Sequence, residues 1–355
     1  MAGVVSKAVA NNTTVPMLAG IRVEAKDGEV EMQATDLNVS IRHKATAHVE
    51  EEGVVVVSGK ILQGIVKNLP DAAVNFDMKE GSTVLTLSCN RSKFKLNTLG
   101  ANEYPEFPHV EPDSSVTLPS QLLSSMASKV YRAISKDNSR PILQGIMVET
   151  KGKQIELVAT DSYRLSVCQS EVPEGDGEFR AIIPGSALHD AMGMPTMTEM
   201  VSIGMNDNQI AISFGDTTYV TRRLDGNFPD YSRLLPASHG TEVYVDVSSM
   251  TAALKRVSVV AQSNPTVRLD IDTESNALHL FASAQDQGES LEEIDCDAQG
   301  KSMSIGLNHK FLSDVLDGAD GTESLVIETI GEMQPAVFKS MGAIVYTSLL
   351  MPVRL

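Results

Sequence analysis

The chain carries the same segment twice at a fixed distance. Pro16-Met17-Leu18-Ala19-Gly20-Ile21 returns as Pro141-Ile142-Leu143-Gln144-Gly145-Ile146, an offset of 125 (141 − 16). The same offset carries Ala34-Thr35-Asp36 onto Ala159-Thr160-Asp161. Tyr104-Pro105-Glu106-Phe107 matches Phe228-Pro229-Asp230-Tyr231 at an offset of 124 (228 − 104), so one small deletion separates the copies. A weaker third copy follows Asn264-Pro265, where residues 267–271, a turn at 274–276 and residues 277–282 repeat the strand-turn-strand layout seen after Pro141. A solenoid repeats every roughly 20–50 residues, so this period means whole domains in tandem. We read three units in the 355 residues: 1–110, 111–236 and 237–355.

Each unit follows one plan. In the second, residues 115–118 read as a strand and Ser120 as a helix N-cap. Leu122, Leu123, Met126, Val130 and Ile134 then fall on one helical face. Strands follow at 145–150, 154–159 and 163–171, then a shorter helix at 186–192 and further strands. The third unit repeats this, with a strand at 243–247, a cap at Ser248, a helix at 250–260 and a second helix at 309–316. The fold class expected is α+β, three copies of two helices packed on antiparallel strands. In the second copy 26 residues separate Ser115 from Pro141 (141 − 115), whereas only 15 precede Pro16. The first copy is therefore expected to lack its opening strand and the start of its first helix, leaving an unpaired strand edge.

Asp and Glu total 46 against 29 Lys and Arg, a net charge of −17, so the chain as a whole should repel nucleic acid. The sparse basic residues nevertheless recur on equivalent helices. Lys7, Lys129, Arg132, Lys136, Lys255 and Arg256 fall in the long-helix segments, and Lys60, Lys67 and Lys310 in the short ones. Equivalent helices facing one way would build a shared positive surface.

Chemistry is hard to find. The seven histidines show no metal-ligand spacing, and there is no G-x-S-x-G elbow, Walker loop or G-x-G-x-x-G. Asp36 and Asp161 read as turn residues that bond nearby N–H groups, and the acidic stretch 289–297 as a solvated face. No cofactor or metal is expected. Cys89, Cys168 and Cys296 form no C-x-x-C pair, which fits reduced thiols in a cytoplasmic protein. The N-terminus has no signal-peptide pattern, and no apolar run reaches about 18 residues.

These motifs together resemble the bacterial sliding clamp family, the beta subunit of replicative DNA polymerase. The likeness covers essentially the whole chain. It is carried by the P-x-L-x-G-I segment, by Ala159-Thr160-Asp161-Ser162-Tyr163-Arg164-Leu165, by Phe228-Pro229-Asp230-Tyr231 and by the terminal Met351-Pro352-Val353-Arg354-Leu355. The resemblance implies a non-enzymatic processivity factor: two chains joined head to tail in a closed six-domain ring, with helices lining a hole through which duplex DNA slides. Clamp loader, polymerase and repair proteins would dock short peptides in an apolar pocket. By position that pocket takes Leu143, Thr160, Tyr163, Arg164, Leu165, Pro229, Arg233 and Leu234 on one wall, and Met333, Pro335, Leu349, Leu350, Met351, Pro352, Val353 and Arg354 on the other. Arg164, Arg233 and Arg354 would hold the polar end of a peptide. Lys7, Lys67, Lys129, Arg132, Lys136, Arg140, Lys255 and Arg256 would face DNA. Tyr104 and Phe107 would meet Val259 and Val260 across the dimer joint. The second short helix opens Pro184-Gly185-Ser186 without a basic residue, so its share of DNA contact should be smaller. A peptide-binding scaffold without a ring, and a hydrolase using Asp36 or Asp161, are the competing readings.

Overall fold

The computed structural model describes residues 1–172, 178–261, 264–285 and 287–355. Contacts divide the chain into two compact units, Met1–Ser120 with Asp190–Arg223, and Gln121–His189 with Leu224–Leu355. Each unit is built on one antiparallel sheet.

The first sheet has eleven strands in the spatial order Val74–Asp77, Val84–Cys89, Ser92–Leu99, Gly53–Ser58, Gly20–Lys26, Glu29–Thr35, Val39–Thr46, Thr217–Arg222, Gln209–Phe214, Met200–Met205 and Ser114–Pro119. The second has twelve: Phe179–Pro184, Gly145–Lys151, Gln154–Thr160, Arg164–Glu171, Val345–Leu350, Ala336–Ser340, Ser324–Thr329, Thr241–Asp246, Gly288–Gln299, Ala277–Ala284, Thr266–Asp272 and Met303–Asn308. One joint recurs. The third strand of a copy pairs with the last strand of the next: Ile41 lies opposite Tyr219 in the first unit, and Leu165 opposite Leu349 in the second. Neighbouring copies thus share a continuous sheet, and the repeat boundaries read from sequence run through its hydrogen bonds.

The helices are α1 (Ala2–Val5), α2 (Gly59–Val66), α3 (Ser120–Tyr131), α4 (Gly185–Met192), α5 (Val247–Val257) and α6 (His309–Gly318). α3 buries Leu123, Met126, Ala127 and Val130, and α5 buries Met250, Ala253, Leu254 and Val257, the spacing of one core-facing stripe. Both expected caps need correction. Asp246, not Ser248, caps α5, accepting the Ser249 N–H at 2.6 Å. The carboxylate two residues earlier also accepts the Ser248 hydroxyl at 2.7 Å, so Ser248 supports the cap instead of forming it. Ser120 is the first residue of α3, and its buried Oγ has no hydrogen-bond partner among the described residues. α5 also stops short of the expected end, so Val259 and Val260 lie in the following turn.

In the first copy α1 has only four residues. Val74–Asp77 ends its sheet with no strand on its outer side among the described residues. The equivalent Met200–Met205 pairs with Ser114–Pro119, and Ser324–Thr329 with Thr241–Asp246. Val74 and Phe76 on that edge are each 36% exposed.

Candidate functional site

The residues expected in the pocket all belong to the second unit, where two copies share their sheet. Met147, Val158, Leu165, Val167, Ile182, Phe228, Val337 and Leu349 form one buried cluster, with Ile142, Leu224, Tyr231 and Leu235 packed against it. Exposed apolar side chains of the same unit include Tyr163 (63%), Leu234, Met333 and Met351. The terminal segment is pinned by backbone bonds, Met351 N–H to Tyr163 O at 2.9 Å and Val353 N–H to Gly306 O at 2.8 Å. Position 306 has to be glycine for this contact, because a Cβ there would stand 2.6 Å from Val353 O.

The expected pocket residues therefore separate by role. Tyr163, Leu234, Met333 and Met351 are exposed, as are Pro229, Arg233 and Arg354, while Pro335, Pro352 and Val353 are half-buried; these are the accessible ones, and a groove rim would be drawn from them. Leu143, Thr160, Leu165, Leu349 and Leu350 are buried. Burial leaves them little surface to offer a ligand directly, so they would support a groove from below. Leu165 and Leu349 lie on adjacent central strands with one face on the cluster, and alternation turns Leu350 to the opposite face. Such a surface, soft with Met and apolar over a rigid floor, suits an extended peptide's side chains.

Arg164 also departs from expectation. Its side chain is only 11% exposed. Nε donates to Asp161 Oδ2 at 3.0 Å, Nη1 to Asp314 Oδ2 and Nη2 to the Arg132 carbonyl, while the guanidinium lies 4.2 Å from the Phe311 ring centroid. With those groups taken, Arg164 holds structure rather than offering a charge to a ligand. Arg233 pairs with Asp230 at 2.8 Å but stays 85% exposed. The α6 partners were missed from sequence. Phe311, Asp314 and Asp317 recur every third residue on one helix, a stripe legible only once the facing surface is known.

Asp36 and Asp161 are absorbed by turns. Asp36 Oδ1 accepts the Asn38 and Val39 N–H groups at 2.9 and 2.7 Å, and Asp161 Oδ1 those of Tyr163 and Arg164 at 2.9 and 3.0 Å. Among the described residues no group of three or more His, Cys, Asp or Glu side chains is placed to hold a metal ion.

Several basic residues are engaged within the fold, the arginines in ion pairs and Lys129 and Lys7 in hydrogen bonds to backbone carbonyls that leave their charge in place. Lys129 Nζ donates to the Gly318 carbonyl and to Asp320 O at 3.1 Å. Arg132 reaches Asp314 at 3.1 Å and Asp317 at 2.7 Å. Arg256 is bidentate to Glu292 at 2.9 and 2.6 Å, Arg140 bonds Asp137 and Ser162, and Lys7 donates to the Asp190 carbonyl. Lys67, Lys136 and Lys255 are exposed and make no ion pair among the described residues.

Of the expected joint residues, Val259 is 64% exposed and Val260 half-buried. Tyr104 does not fit. It is buried, and its hydroxyl donates to Gly20 O or Gln33 O at 3.3 and 3.4 Å. Burial pushes its phenol up to about 12, so it is a neutral core residue of its own unit. Phe107 is half-buried, with the Arg42 guanidinium 4.5 Å from its ring centroid.

Comparison with known proteins agrees along the whole chain. Residues 3–108, 117–230 and 232–354 match the N-terminal, central and C-terminal domains of the DNA polymerase III beta subunit. A beta sliding clamp of Streptomyces coelicolor is 31% identical over 353 residues, covering 96% of this chain and 92% of that relative. The crystal structure of the beta subunit from Thermotoga maritima superposes with a TM-score of 0.91 at 28% identity, covering 100% of this chain and 96% of that one. A sliding clamp from Bartonella birtlesii bound to griselimycin gives 0.91 at 25% identity, again over 100% and 96%. Tandem α+β copies sharing continuous sheets thus define a sliding-clamp fold. The chain belongs to the DNA polymerase III beta subunit family, whose members are non-catalytic processivity factors of DNA replication.

Proposed function

We propose that two copies of this chain close head to tail into a ring of six domains (1–110, 111–236 and 237–355 in each) that encircles duplex DNA in the cytoplasm. The ring would tether the polymerase, clamp loader and repair proteins through peptides seated on the Tyr163–Leu234–Met333–Met351 rim. The observation that carries this is the recurring joint. Residue 39 faces 221 in one sheet and residue 164 faces 350 in the other. Two equivalent strands remain without such a partner among the described residues: the third strand of the last copy, Gly288–Gln299, and the last strand of the first copy, Ser92–Leu99. Applying the same register between two chains sets Glu289 opposite Lys95 of the partner subunit and Glu293 opposite Arg91 of the partner subunit. The pairing is complementary in charge, and exposed Leu291 and Val259 flank it. This strand takes the place of Tyr104 in the joint.

DNA held by closure needs few strong contacts. Exposed Lys67, Lys136 and Lys255 would supply loose phosphate attraction, while the internally paired Lys129, Arg132 and Arg256 would keep it weak enough for sliding. The peptide-like ligand griselimycin on related clamps supports the groove.

The test is to load the protein onto nicked circular DNA with its cognate loader and ATP, then linearise the DNA. Retention on circles and loss on linearisation are expected. Equal retention on both forms would reduce the interaction to ordinary electrostatic binding. Deleting residues 351–355 should abolish peptide capture with the dimer intact.

A further inference from the structure

Arg132 and Arg164 share one carboxylate. Asp314 Oδ1 accepts Arg132 Nη1 at 3.1 Å, and Asp314 Oδ2 accepts Arg164 Nη1. The two arginines face different tasks. Arg132, half exposed, sits just past α3 among the residues proposed to face DNA, and Arg164 is wedged beneath the groove wall. Its neighbours Tyr163 and Leu165 are rim and floor, and the Tyr163 carbonyl holds Met351 N–H. A second strut runs the same way, because Arg164 Nη2 donates to the Arg132 carbonyl.

We propose that Asp314 is a positioning residue that couples the groove to the DNA-facing surface, an inference resting on the ring and groove reading above. A backbone phosphate that approaches Arg132 competes for its guanidinium with Asp314 at 3.1 Å and with Asp317 at 2.7 Å, of which only Asp314 also holds Arg164. Arg132 can turn toward the phosphate because its side chain is half in solvent, whereas Arg164 is held on every side by Asp161, Phe311 and the Arg132 carbonyl. The carboxylate then acts on Arg164 alone and holds the wall at Tyr163–Leu165 more firmly. A peptide binds more tightly to a wall already ordered. Linkage makes the effect reciprocal: peptide in the groove strengthens phosphate binding at Arg132 by the same factor.

The experiment measures binding of fluorescein-labelled griselimycin to the full chain by anisotropy at low ionic strength, with and without a saturating blunt duplex of about 20 base pairs. The wild-type Kd should fall by about fivefold when duplex is present, the low end of site-site couplings. In Asp314→Asn the probe and the duplex should each still bind, with the ratio close to one; in Arg132→Gln duplex binding should weaken, and with duplex raised to saturation the ratio should also be close to one. Asp317→Asn, which removes a carboxylate that Arg164 does not touch, should keep the wild-type ratio. Thermal unfolding of each variant separates a coupling defect from a folding defect. A wild-type ratio of one with both ligands bound overturns the coupling and leaves the ring and groove reading standing, as does a wild-type ratio preserved in folded Asp314→Asn. Equal loss of the ratio in Asp317→Asn would assign the effect to general charge and overturn the role of Asp314. A probe that fails to bind without DNA removes the groove itself, and the coupling with it.

Discussion

Leu37 and Ser162 occupy the same left-handed backbone conformation, φ 75° and 79°, in loops 125 residues apart. Each follows a Thr-Asp pair that ties the loop in the same way. Thr35 and Thr160 hydroxyls accept the N–H of residues 37 and 162 at 3.0 and 3.2 Å, and donate to the carbonyls of residues 39 and 164 at 3.0 and 2.7 Å. Asp36 and Asp161 complete the turns. The loops differ at the acid: Asp161 also holds Arg164, in a pair whose side chains are 14% and 11% exposed. Asp36→Ala should therefore cost about 1–2 kcal/mol, the worth of two turn hydrogen bonds. Asp161→Ala should cost about 3 kcal/mol or more, because it also leaves a nearly buried guanidinium short of a partner. Denaturant unfolding of the two variants checks the order, and equal losses would refute the structural weight given to Arg164.

The proposed joint predicts a charge swap. Lys95→Glu sets two carboxylates opposite one another and should weaken the dimer by about tenfold, roughly 1.4 kcal/mol. Glu289→Lys alone should do the same, and the double variant should recover most of the loss. Sedimentation equilibrium across a concentration series measures all three. Failure of the double variant to recover would mean that the register is wrong.

The cap on α5 predicts a pH dependence. Hydrogen bonds from Ser249 and Ser248 hold the Asp246 carboxyl below its ordinary value. The stabilisation is therefore complete above the unfolded carboxyl value of about 3.9 and fades as pH falls through the lower folded value. Asp246→Ala should cost about 1 kcal/mol at pH 7. The gap in Tm between the variant and the wild type should narrow as pH falls below about 4 and the carboxylate is lost. A gap that stays constant to pH 2 would show that the charge plays no part in the cap.

Thiol reactivity should separate the three cysteines. Burial pushes Cys168 up to about 12, and Cys89 is equally enclosed. Cys296 is half-exposed, but burial first and then Asp297, Asp295 and Asp272 raise its thiol as well. Iodoacetamide at pH 8 should label Cys296 alone, and slowly, until denaturant exposes the other two. Mass spectrometry of the native protein reads this directly, and early labelling of Cys168 would contradict its placement.

Much of this architecture was legible in local pattern. The Thr-Asp turns, the turn glycine Gly152 (φ 58°) and the helical stripes of α3 and α5 depend on residues a few positions apart, so their chemistry is written in the order of side chains. The α5 cap was placed two residues late, at Ser248, because Ser and Asp are both good N-caps and sequence does not say which of them stands at the helix start. The groove was legible only as a resemblance. Nothing local distinguishes Leu165, which is buried floor, from Leu234, which is exposed rim.

By itself the sequence determined the tandem α+β copies, the turns that close them and the apolar faces they must cover, because periodicity and turn chemistry act over a few residues. Only the tertiary structure decided what the charges do. Arg164 meets Asp314 across 150 positions, Arg132 meets it across 182, and Lys129 meets Gly318 across 189. Those distances close because the third strand of one copy joins the last strand of the next, which sets α6 beside the end of α3. A basic residue on a helix surface is free or spent according to what that joint places opposite it.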